Sequence, residues 1–108
     1  MSEEKRAKVI NLIRNTIRAT EPEAQLILYG SRARGDARED SDWDLLLLLD
    51  KPQKESTDFD KYAYPFVNYG WSVGEQINPL IYSFSDWDRR SITPFYKSVQ
   101  AEGVSLCR

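Results

Sequence analysis

The sequence predicts an α+β domain, a small mixed β-sheet with flanking helices. Three observations carry that reading. Apolar residues recur at helical spacing near the N-terminus, as Val9, Ile10, Ile13 and Ile17. Two apolar runs, Leu26-Ile27-Leu28 and the five leucines from Leu45 to Leu49, have strand length and end at turn formers or acids. Helical and strand patterns then follow one another as helix, strand, short helix, strand, helix, strand and helices. Such an order packs helices around a sheet, here with the helices expected mostly on one face.

The first helix is expected from Ser2 to Ala19. Ser2 serves as cap, and Glu3 and Glu4 suit the positive end of the dipole. Pro22 ends the segment. Gln25 to Tyr29 reads as a strand that stops at Gly30. Ser31 to Ala37 is small and basic and suits a short helix, and Asp36 to Ser41 is polar loop. The run Asp42 to Asp50 fits helix or strand by periodicity. Its short length, the acids before it and Pro52 after it favour a central strand buried on both faces. Lys51 to Ser56 is loop. Thr57 to Trp71 carries Phe59, Tyr62, Phe66 and Tyr69 at helical spacing, most simply a core stripe, with a kink or restart at Pro65. Gln76 to Ser83 is a third strand, and Pro79 makes it an edge strand or bulges it. Ser85 is placed to cap a short helix, and Thr93-Pro94 to open a last helix that ends near Gly103.

Composition narrows the chemistry. The 108 residues suit one domain, 1–108. With 41% hydrophobic and 30% charged residues, the chain can form an ordinary packed core. It has one cysteine, Cys107, and no histidine. Intrachain disulfides, cysteine zinc sites, Ser-His-Asp and Cys-His catalysis and histidine metal ligation are therefore excluded. Met1 to Arg18 is charged throughout and unlike a signal peptide, and no apolar run nears the ~20 residues that span a bilayer. A reducing cytoplasm is expected. The net charge of −2 disfavours broad binding to nucleic-acid backbones.

One stretch concentrates chemistry: Gly30-Ser31, ten residues, then Asp42-Trp43-Asp44. A glycine lets the backbone turn sharply off a strand and approach a ligand. The N–H groups that follow, at a helix start, attract phosphate oxygens, and the Ser31 hydroxyl adds a further hydrogen bond. Asp42 and Asp44, two apart on a strand, face one side with Cα atoms ~6.6 Å apart. Carboxylates so placed hold Mg²⁺ together with substrate phosphates. Trp43 points to the opposite face, as packing. The Gly-Lys-Ser/Thr end of a P-loop is missing.

The stretches Gly30-Ser31-Arg32-Ala33-Arg34-Gly35-Asp36 and Ser41-Asp42-Trp43-Asp44-Leu45 resemble the signature of the DNA polymerase β-like nucleotidyltransferases, and in particular the minimal single-domain ones. The resemblance is tight over Gln25 to Asp50. It implies a nucleotidyltransferase fold and transfer of a nucleoside monophosphate from a nucleoside triphosphate to a hydroxyl. Gly30 and Ser31 would grip the triphosphate, and Asp42 and Asp44 would hold two Mg²⁺ ions. Arg32 and Arg34 either neutralise triphosphate charge or are solvated surface residues. The family also implies a small helical HEPN-type partner in a toxin–antitoxin pair, with the acceptor supplied by that partner or by a homodimer.

The family pattern wants a third carboxylate on the next strand. Period-2 alternation puts Gln76 and Asn78 on the relevant face, and both are amides. Glu75, the nearest acid, should face the other side unless the strand bulges near Pro79. Two functions are thus expected to compete: an enzyme, and a nucleotide-binding module that restrains a partner with little chemistry of its own.

Overall fold

The computed structural model describes residues 3–51, 57 and 59–107, with Phe59 described by its backbone alone. The expected Ser2 cap and the loop at 52–56 lie outside those residues. Helix α1 spans Glu3–Thr20, strand β1 Gln25–Tyr29, helix α2 Ser31–Arg34 and strand β2 Trp43–Leu49. A π-helical turn, Phe59–Ala63, leads into α3 at Tyr64–Val73. Strand β3 is Ile77–Ser83, α4 Phe84–Asp88, α5 Pro94–Glu102 and β4 Val104–Cys107.

The four strands form one mixed sheet in the order β3-β2-β1-β4. Strand β1 pairs antiparallel with β2 and β4, whereas β2 and β3 are parallel. The leucine run is therefore central, as its continuous apolarity predicts. Leu45, Leu47 and Leu49 pack with Val9, Ile13 and Ile17 of α1 and Phe66 of α3. Leu46 and Leu48 pack on the opposite face with Trp87 of α4 and Val99 of α5. Each buried leucine contributes roughly 1.5–3 kcal/mol. Helices thus cover both faces, which corrects the expectation of one. A strand apolar on both sides needs cover on both sides, and the short aromatic helices α4 and α5 supply it.

Local chemistry explains the remaining differences. Pro65 falls in the first turn of α3, where its missing N–H costs nothing, so the helix restarts there. Pro79 lies in an edge strand, and the β2–β3 register runs without a shift. Ser83, not Ser85, caps α4: its hydroxyl accepts from the Asp86 N–H at 3.1 Å. Thr93 caps α5 as expected, accepting from the Tyr96 N–H at 3.2 Å. Strand β4 was not expected. It closes the sheet beside β1 and buries Cys107 in the core. No described helix is long and apolar enough to cross a membrane.

Candidate active site

Strand β1 ends in a tight turn. Gly30 sits at φ 75° and ψ −158°, backbone that side chains rarely adopt. A Cβ there would lie 2.6 Å from Asp44 Oδ2, so the turn packs directly on that carboxylate. Helix α2 starts at once: the Gly30 carbonyl accepts from the Ala33 and Arg34 N–H groups, both at 3.0 Å. The N–H groups of Ser31 and Arg32 stand in the first turn of α2.

Asp42 is exposed one residue before β2, and Asp44 is half-buried within it. Register brings two side chains to Asp44, Tyr29 from β1 and Asn78 from β3. Asn78 Nδ2 donates to Asp42 Oδ2 at 2.9 Å, and Gln76 Nε2 donates to Asn78 Oδ1 at 3.1 Å. Both amides thus lie on the carboxylate face, but Asn78 alone of the two hydrogen-bonds a carboxylate. Burial pushes the Asp44 carboxyl up from its ordinary value, and the like charge of Asp42 adds to this. Donation from Asn78 and the positive charge of Arg34 act in the other direction.

The two arginines part company. Arg34 is exposed and pairs with Asp36 and, across to α5, with Glu102, both at 3.2 Å. Exposed pairs of this kind are screened by solvent and add little stability, so they exchange readily for a phosphate. Arg32 corrects the sequence expectation. Neighbours on a helix project about 100° apart, and Arg32 turns under the sheet, 4% exposed. Its guanidinium lies 4.8 Å from the Trp43 ring centroid. Glu75 is there too, accepting from Trp43 Nε1 at 3.3 Å. With no bulge in β3, Glu75 faces away from Asp42 and Asp44. Among the described residues no three acids, histidines or cysteines gather as a metal cluster.

Tyr29 was missed by sequence reasoning, because its place beside Asp44 depends on strand register. Burial, then the charge of Asp44 and then Tyr82 push its phenol up to about 12. An unfolded chain loses this proton near pH ~10, so this share of stability is intact below that pH. It is lost as the pH rises from ~10 toward the folded value of about 12. Tyr29→Phe should make the alkaline fall in melting temperature shallower in that window. An identical pH profile for the variant would show that Tyr29 does not titrate this way.

The family profile of the nucleotidyltransferase domain matches residues 10–95. The chain belongs to that family. This nucleotidyltransferase also shares its fold with solved structures. A toxin–antitoxin structure with AMP-PNP superposes at a TM-score of 0.62 and 17% identity, covering 90% of this chain and 71% of that one. A mutant of the toxin–antitoxin MntA–HpeT, with two aspartates changed to glutamate, gives a TM-score of 0.62 at 16% identity over the same shares. No curated protein sequence matches the nucleotidyltransferase chain.

Proposed function

We propose that the chain transfers a nucleoside monophosphate from a nucleoside triphosphate to a hydroxyl, with Mg²⁺, as the antitoxin-like half of a pair with a HEPN-like protein. The observation that carries this is the contact of the Gly30 turn with Asp44. It joins a phosphate-binding turn to a pair of carboxylates in one place.

The residues present fit a hard cation. Asp42 and Asp44 offer carboxylate oxygens, and burial, with the like charge of Asp42 adding to it, raises the Asp44 carboxyl, a strain that a cation relieves. When bound, Mg²⁺ would neutralise triphosphate charge and steady the in-line geometry. Asp42 and Asp44 would hold two such ions. Ser31 and the first-turn N–H groups of α2 hold the triphosphate, with Arg34 able to swing to it from the rim. The acceptor oxygen then bonds to the α-phosphorus as the bond to the leaving pyrophosphate breaks, and the hydroxyl proton passes to solvent. Asn78 cannot take the acceptor's proton, so transfer by the isolated chain is slow.

Asp42 is exposed at the open end of the sheet, so the acceptor comes from outside, on a partner or a second copy. The toxin–antitoxin neighbours support a protein partner. The substrate suits a cytoplasmic location, where nucleoside triphosphates abound. Asn78 also favours a second reading, in which the chain restrains its partner chiefly by binding it.

The test is thermal. Mg²⁺ with a nucleoside triphosphate at about 100 times its Kd should add about 2.7 kcal/mol of stability and raise the melting temperature. Asp42→Asn with Asp44→Asn should abolish that shift. A shift that survives in the double variant places the ligand elsewhere.

A further inference from the structure

On the reverse face of the sheet from Asp42 and Asp44, Arg32 and Glu75 are buried side by side. We propose that Arg32 and Glu75 are positioning residues for nucleotidyl transfer. They act from the reverse face of the sheet and set the distance between the Gly30-Ser31 turn and the Asp42/Asp44 pair. This rests on the site assigned above.

The wiring is specific. Arg32 follows Ser31 in the chain, so its backbone is part of the turn. Its side chain reaches the other half of the site: one terminal nitrogen donates to the Ser41 carbonyl at 2.8 Å and the Glu39 carbonyl at 3.3 Å. The guanidinium also covers the ring of Trp43. Ser41 and Trp43 flank Asp42, and Trp43 separates it from Asp44. One guanidinium therefore grips the metal-side strand on both sides of Asp42 while belonging to the phosphate-side turn.

Glu75 completes the clamp. Its Oε2 lies 3.9 Å from the same Arg32 nitrogen and accepts from Trp43 Nε1, and its Oε1 lies 3.4 Å from Lys5 Nζ. The Glu75 N–H donates to the Gly70 carbonyl at 2.8 Å, which ties the clamp to α3. Arg6 of α1 donates to the Arg32 carbonyl at 3.0 Å. Buried ion pairs are weak sources of stability, since apolar replacements of similar volume are often as stable. Geometry is the better account of this one. Productive sites must be held to within about 0.5 Å, and a loop such as residues 36–41 holds such geometry less precisely than helices and strands do.

The experiment measures the Kd of a non-hydrolysable ATP analogue with Mg²⁺ and with EDTA, in wild type and in Arg32→Lys. Lysine keeps the charge but lacks the flat fork that serves carbonyls, carboxylate and ring together. Binding in EDTA, which involves the turn but not the metal, is the reference for each variant, so the readout is the ratio of the two Kd values. The enhancement by Mg²⁺ needs both halves in register and should fall by roughly 10–100-fold. A purely structural role would lower the melting temperature and leave this ratio alone, and that result overturns the proposal. Should Arg32→Lys not fold, Glu75→Gln gives the same readout: it keeps an acceptor for Trp43 and removes the charge. If neither variant folds, the cluster serves the fold and the positioning role is overturned. A wild-type chain that binds no nucleotide is a different failure, seen before any variant is made. It refutes the proposed function and, with it, the positioning role.

Discussion

Asn78→Asp should speed nucleotidyl transfer by about 10²–10⁴-fold, the usual range for general acid–base help, while Gln76→Asp should not. Register makes the distinction. Asn78 is paired with Asp44 and donates to Asp42, whereas the Gln76 side chain donates to Asn78. An acid at position 78 would supply both a charged metal ligand and a proton acceptor. It would also place a third negative charge beside two others in the ligand-free protein, so the melting temperature without metal should drop. Mg²⁺ should more than restore it, giving a larger metal-induced shift than in wild type. Release of labelled pyrophosphate, with the partner protein or an RNA end as acceptor, measures the rate. Equal gains at both positions, or none at position 78, would mean that β3 does not supply the third ligand.

Gly30→Ala should damage both stability and ligand binding. The residue sits in a backbone region that costs side chains roughly 1–3 kcal/mol, and the new methyl would meet Asp44 Oδ2 at 2.6 Å. Asp44 would have to move, and the contact between turn and carboxylate would open. Each kcal/mol should lower the melting temperature by roughly 4–8 °C in a domain of this size. The shift caused by Mg²⁺ and nucleoside triphosphate should vanish. Gly35→Ala is the control: Gly35 also has positive φ, at 89°, but a Cβ there meets nothing within 4 Å. It should lose stability through strain and keep the ligand-induced shift. If both variants keep the shift, the Gly30 turn is not part of the site.

The parts of this fold that were legible in the sequence are those with local causes. Strand β1 is legible to the residue because Gly30 stops an apolar run, and β2 is legible as a central strand, within one residue at each end of Asp42 to Asp50, because five leucines between acids and a proline leave room for little else. The shared face of Asp42 and Asp44 follows from strand pleat alone. What was hidden depends on distant partners. Strand β4 is four residues long and is a strand only because β1 offers it an edge. The choice between Gln76 and Asn78 needed the β2–β3 register. Arg32 and Arg34 look alike in a basic turn, and only the packing of Trp43 and Glu75 under α2 separates the buried one from the exposed one. The expectation of helices on one face overlooked what the leucine run already required, since Leu46 and Leu48 need cover as much as Leu45 and Leu47 do.

Pro79 has a bearing on assembly. The Trp43 N–H donates to the Gln76 carbonyl at 2.8 Å, so along β3 the backbone groups of residues 76 and 78 point inward to β2 and those of 77 and 79 point outward. The outer rim of the sheet therefore lacks a donor at Pro79. An incoming strand would find a gap in the ladder next to the carboxylate end, where a stray chain would be most harmful. The rim is thus protected against edge-to-edge aggregation. A protein that adds a strand on this side forms one ladder hydrogen bond fewer beside the carboxylates, which favours contact through its side chains.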